Sequence, residues 1–91
     1  MAYFTLTCDV VPDYLERRIP LRAAHLALVQ AAHQRGEIVL AGALEPADAT
    51  LLIWSVESLD PIERFLSADP YVQNGLVTGH RIRKWNVVVG G

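Results

Sequence analysis

The sequence predicts an α+β domain in which two helices alternate with four strands in the order β-α-β-β-α-β. Three observations carry this expectation. Residues 3–10 (YFTLTCDV) and 50–57 (TLLIWSVE) are short runs rich in aromatic and β-favouring types. Residues 20–35 are one long stretch rich in Ala and Leu, opened by Pro20 and closed by Gly36. The chain has 91 residues, 52% of them hydrophobic, which excludes intrinsic disorder. A chain of this size buries roughly 64% of its unfolded surface, enough for one core and too little for two. Residues 1–91 are therefore read as a single domain.

Each element follows from its residues. The first strand covers 3–10. Residues 11–19 carry Pro12, Asp13 and the charged run Glu16, Arg17, Arg18, and read as a connecting loop. The first helix begins near Pro20, which needs no N–H partner at a first helical position, and ends at Gly36, a glycine that favours the left-handed helix stop. Residues 37–43 (EIVLAGA) form the second strand, 45–48 a turn and 50–57 the third strand. Ser58 or Asp60 caps a short second helix through about Ser67, with Pro61 in its first turn. Asp69-Pro70 breaks that helix, Asn74-Gly75 marks a turn, and 76–89 form a long last strand. The order is that of a ferredoxin-like domain, an antiparallel sheet with two helices on one face.

The other face of that sheet also reads as covered. Leu52, Trp54 and Val56 share one face of the third strand, and Leu51 and Ile53 share the other; Ile38-Val39-Leu40-Ala41 is apolar on both. A sheet with one solvated face alternates apolar and polar residues. So short a chain has no spare helix for the second face, and a second copy of the sheet is the economical cover, giving a homodimer.

Composition narrows the function classes. Eight Lys and Arg against ten Asp and Glu give a net charge of -2, a poor balance for nonspecific nucleic-acid binding. No apolar run reaches the ~20 residues a bilayer span needs, so no membrane partner is expected. Cys8 is the single cysteine, which leaves no internal disulfide and no Cys-based metal cluster; it reads as a reduced structural thiol. The start of the chain lacks a basic n-region, and a cytoplasmic protein is expected. The three histidines lack helical metal-ligand spacing, so no metal is expected.

Candidate chemistry concentrates on the first helix. At ~100° per residue, Leu21, Ala32, His25, Val29, Arg22, His33 and Leu26 follow one another around one side. Ala23, Ala27, Gln30 and Gln34 lie opposite. His25 falls within the apolar arc with Arg22 beside it, and ionisable groups facing inward need partners. The bland alternative is a core histidine satisfied by a carbonyl or a buried carboxylate; a guanidinium beside it demands an acid or a ligand. His33 reads as a boundary residue, and His80 with Arg81, Arg83 and Lys84 as a solvated strand edge. Two carboxylates stand out. Asp9 ends the first strand on the face opposite Leu6 and Cys8. Asp69 stands in Ala68-Asp69-Pro70-Tyr71, either as a turn aspartate capping Tyr71-Val72-Gln73 or as a functional acid. Asp9, Arg22 and Tyr71 are the candidates for holding a ligand.

Arg22-Ala23-Ala24-His25-Leu26, Gly36, Ala41-Gly42-Ala43, Ala68-Asp69-Pro70-Tyr71 with Gly75, and Ile82-Arg83-Lys84-Trp85 together resemble the YciI-like (YCII-related) family in order and spacing. The resemblance implies a ferredoxin-like fold of the dimeric α+β barrel type. It also implies a catalytic pair at the positions of His25 and Asp69. Dehydrochlorination of chlorinated hydroxyquinols is known within the family. The stretch between Gly42 and Thr50 is shorter than in some relatives, which carry a longer glycine-containing loop, and this implies a differently walled pocket.

Two functions fit. One is a small cofactor-free enzyme in which His25 abstracts a proton, for elimination or isomerisation of a small, anionic metabolite. The helix dipole favours neutral imidazole, whereas Asp69 favours the imidazolium; the two oppose each other. Arg22 would hold a phenolate, enolate or carboxylate. The other is a binding or accessory module without turnover. On the enzyme reading, Asp69→Asn leaves the fold intact and impairs function, and His25→Leu is expected to keep or even raise stability.

Overall fold

The computed structural model describes residues 2–91. Strand β1 (Ala2–Val10) runs through the middle of a four-stranded sheet. It pairs antiparallel with β3 (Ala49–Val56) on one side and β4 (Val77–Trp85) on the other, and β2 (Ile38–Ala43) adds outside β3. The order β2-β3-β1-β4 is the expected ferredoxin-like arrangement.

Register decides which side chains meet the helices. Leu6 lies opposite Leu52 and Ile82, Phe4 opposite Trp54, and Cys8 opposite Thr50. Strand side chains alternate faces, so this set shares one side. Helices α2 (Arg22–Gln34) and α3 (Asp60–Ala68) close over it. Leu6, Leu52, Trp54 and Val56 pack with Ala32 of α2 and with Ile62, Phe65 and Leu66 of α3. The spacing of the α3 trio places its residues on one helical face. Asp60 and Glu63 in the first turn suit the positive end of the helix, and Ser58 Oγ accepts from the Asp60 N–H at 3.3 Å. At the end of α2, Gly36 takes φ +81°, and His33 Nδ1 sits 2.7 Å from the Ile38 carbonyl, tying the helix to β2.

Three segments differ from the expectation. Residues 11–19 are not a plain loop. They contain α1 (Tyr14–Arg17) and open a 3-10 turn at Ile19–Leu21, which holds Pro20, so α2 itself starts at Arg22. The buried Tyr14 ring, edge-on to Tyr71 with centroids 5.6 Å apart, anchors this stretch. After Asp69 the chain re-enters a helix, α4 (Pro70–Gln73). The last strand ends at Trp85, not at residue 89. Trp85 pairs with Tyr3, and beyond it Val88 and Val89 stand in solvent.

The sheet face away from the helices carries Leu51, Ile53 and Tyr3, with Leu40 69% and Trp85 47% exposed. Arg81 and Arg83 flank them on β4. Among the described residues no helix is long and apolar enough to cross a membrane.

Candidate functional site

Asp69 is placed by backbone chemistry. Pro70 forbids helical backbone in the residue before it, so α3 stops and Asp69 turns extended, at φ -68° and ψ 118°. Its carboxylate then caps α4, with Oδ1 accepting from the Tyr71 N–H at 3.0 Å. The same Oδ1 lies 2.7 Å from His25 Nδ1. The capping reading and the functional reading of Asp69 therefore describe one atom with two partners. Asp69 is 3% exposed, the buried charged residue of this core.

His25 stands one turn into α2, and two aromatic neighbours fix its plane. Tyr71 stacks on it with centroids 3.8 Å apart and planes 9° from parallel, and Phe65 meets it edge-on at 6.3 Å. A carboxylate accepting at Nδ1 puts the imidazole proton there. In a neutral ring Nε2 is then the acceptor, and no hydrogen bond within the described residues engages it.

His25, Asp69 and Tyr71 line a cavity of about 150 Å³. Cys8, Val10, Thr50 and Leu52 line it from the sheet. Ala41, Gly42 and Ala43 of β2 line another part and are solvent-exposed, so the cavity reaches the surface past small residues. Arg18, Arg22 and Tyr14 line it near the start of α2. The Arg18 guanidinium lies over the Tyr14 ring, 5.1 Å from its centroid. Burial pushes the Tyr71 phenol above its ordinary value, Tyr14 adds to this, and Arg18 and Arg22 pull it back. Burial likewise raises the Cys8 thiol from 9.0 to about 11, against a hydrogen bond with Thr50. A thiol so placed stays protonated and is a poor nucleophile.

The structure thus brings four of the five candidate residues together. Arg22 and Tyr71 line the cavity that His25 and Asp69 share. Tyr71 is chiefly the stacking partner of His25 and the N–H donor to Asp69. Asp9 is elsewhere: it is exposed on the far face of β1 and opposite Gly79. As a cavity residue it is corrected by strand alternation, since Cys8 and Val10 on either side of it point into the cavity. Arg18 and Tyr14 were missed. Their signal is present, because Tyr14, Arg18, Arg22 and His25 recur at spacings of four, four and three, a helical face concealed by reading 11–19 as loop. Among the described residues no group of three His, Cys, Asp or Glu side chains is placed to hold a metal ion.

Known proteins resemble this chain in sequence and in fold. The YCII-related domain family matches residues 1–86. Protein YciI of Escherichia coli and that of Shigella flexneri are each 34% identical over 74 residues, covering 70% of this chain and 76% of the relative. Among solved structures, the 5-chloro-2-hydroxyhydroquinone dehydrochlorinase TftG of Burkholderia phenoliruptrix, in complex with 2,5-dihydroxybenzoquinone, superposes with a TM-score of 0.77 at 25% identity. The match covers 92% of this chain and 93% of that one. An antibiotic biosynthesis monooxygenase matches in fold at a TM-score of 0.60 and 11% identity, covering 98% and 100%.

Proposed function

The chain belongs to the YCII-related domain family, and on that premise we propose that it is a small enzyme whose His25 abstracts a proton from a small anionic metabolite. The carrying observation is the 2.7 Å contact between His25 Nδ1 and Asp69 Oδ1 inside a cavity. With Nδ1–H committed to Asp69, Nε2 is the basic atom. It takes the proton of a substrate C–H or O–H bond, and the electron pair of that bond stays on the substrate. The pair then expels a leaving group, giving elimination, or is reprotonated at another atom, giving isomerisation. Asp69 steadies the imidazolium so formed, and Arg22 holds the substrate's anionic group. The likeness to a dehydrochlorinase supports elimination as the class.

The test is chloride release from 5-chloro-2-hydroxyhydroquinone, together with deuterium uptake from solvent by small hydroxylated ring acids. Wild-type protein should catalyse one of them and His25→Gln should not. Saturable binding with neither product nor exchange would make the chain a binding module. Equal rates in the two proteins would remove His25 from the mechanism.

We also propose a homodimer with the open sheet faces packed together. Leu40, Leu51, Ile53 and Trp85 support it, since apolar sheet faces are stable only when covered. Light scattering at micromolar concentration should give twice the chain mass, and Leu40→Arg should give the monomer mass. A reduced Cys8 suits the cytoplasm as the compartment.

A further inference from the structure

Arg18 and Arg22 are the two arginines of the cavity lining. Neither has a carboxylate within ion-pair distance among the described residues. Arg17 has Asp13 at 4.0 Å and Arg35 has Glu37 at 3.0 Å. The one carboxylate of the cavity, Asp69, is already shared by the His25 ring and the Tyr71 N–H. Both guanidiniums act on the Tyr71 phenol, so their fields converge on the same space. Arg18 is half-buried with its guanidinium carbon over the Tyr14 ring, a contact that restrains it before a ligand arrives.

The charge of the lining follows. Two guanidiniums and one carboxylate, with neutral His25, leave a single positive charge facing the cavity. A monoanion neutralises it. When that monoanion passes a proton to His25 Nε2, its own charge becomes -2 and the lining becomes +2, and the balance still holds. Proton transfer leaves the total unchanged, so two guanidiniums balance the ligand in both states, whereas one would leave the site a charge of -1 in both. A volume near 150 Å³ admits one six-membered ring.

We propose that Arg18 joins Arg22 as a second anion-holding residue, and that the ligand is a single-ring monoanion that becomes a dianion on giving its proton to His25. The assignment of Arg18 stands on geometry alone; the dianion rests on the proton-abstraction reading above. Benzoate, its neutral isostere benzamide, and phthalate are suitable probes, titrated by calorimetry at pH 7.5 in two buffers of different ionisation enthalpy. Benzoate should bind at least about tenfold more tightly than benzamide, and Arg18→Gln and Arg22→Gln should each lose about tenfold for benzoate alone, the scale of one charged hydrogen bond. Arg18→Lys, which keeps the charge over Tyr14, should retain most of the affinity and covers the case in which the glutamine variant does not fold. Phthalate should take up about one proton on binding, and His25→Gln should abolish that uptake; benzoate should take up none. Benzoate affinity unchanged in Arg18→Gln would overturn the role of Arg18, whatever the outcome for turnover. Phthalate binding without proton uptake would overturn the charge balance. A protein that binds benzoate through Arg18 but catalyses no exchange would keep the role of Arg18 and overturn both the enzymatic reading and the dianion.

Discussion

The two ends of the helix-covered sheet face are built differently. At one end Trp54, Ile62, Leu66 and Val56 form a dry core, with Trp54 and Ile62 wholly buried. At the other, Tyr14, Tyr71, Val10 and Leu76 make a smaller cluster that shares its space with His25, Asp69 and two guanidiniums. The dry end is roofed by α3, whose nine residues place three large apolar side chains on the sheet. The polar end is roofed by the first turns of α2 together with pieces of three or four residues, α1, the 3-10 turn and α4, and the cavity lies among them. The polar end keeps a buried carboxylate because the dry end supplies the stability to hold it.

Substitutions should separate the two ends. Ile62→Ala should have the largest effect on the fold, costing about 2–5 kcal/mol by chemical denaturation, while the folded fraction keeps its benzoate affinity. A parallel loss of affinity would show that the ends are one cooperative site. Asp69→Asn should do the reverse. Asparagine caps a helix as well as aspartate does, so stability should change by less than about 1 kcal/mol, whereas turnover should fall by about 10²–10⁴-fold through loss of the charge behind His25.

His25→Leu sharpens the contrast. On sequence alone, removing an inward polar group is expected to keep or raise stability. With Asp69 4% exposed at its side chain and 2.7 Å from His25, the change strands a carboxylate that retains only the Tyr71 N–H. The expected outcome is now a loss of about 1–3 kcal/mol, which Leu in place of both His25 and Asp69 should partly recover. Equal or raised stability in the single variant would mean that the pair contributes nothing to folding.

The smallest effect concerns Cys8, on the cavity floor where the two ends meet. Its thiol titrates near 9.0 in the unfolded chain and about 11 in the fold. The folded state therefore holds the proton more tightly. That contribution is complete below pH 9 and is lost as pH rises through 11, so the denaturation midpoint should drift down across this interval. Cys8→Ser should flatten the drift. Native protein at pH 8 should react with a thiol reagent at least about tenfold more slowly than unfolded protein; comparable rates would mean that the cavity floor opens.

Most of the fold was legible because its signals are local. The alternation of Leu52, Trp54 and Val56 with Leu51 and Ile53 assigns faces without knowledge of any partner strand. Gly36 stops a helix and Asp69-Pro70 stops another through backbone sterics confined to a few residues. The position of His25 on the sheet-facing side of its helix follows from helical period alone, whereas Arg22 beside it is exposed and borders the cavity. Where local signals are weak the reading failed: residues 11–19 gain their helical turns from burial of Tyr14 against Tyr71, 57 positions away, and the last strand ends at its pairing with Tyr3 rather than where its own apolar residues do.

The site divides along the same line. Sequence by itself determined that His25 faces the sheet with Arg22 beside it, which the structure places exposed at the cavity's edge, that Asp69 is held by Pro70, and, through family resemblance, that His25 and Asp69 belong together. Tertiary structure alone decided that Tyr71 stacks on His25, that one oxygen of Asp69 serves both the ring and the helix cap, that Arg18 enters the cavity, and that Asp9 does not. The physical reason is range. A face or a helix stop is fixed within a few bonds, whereas His25 and Asp69 lie 44 residues apart. Contact between them depends on how two helices settle on one sheet, a result of packing every apolar side chain at once.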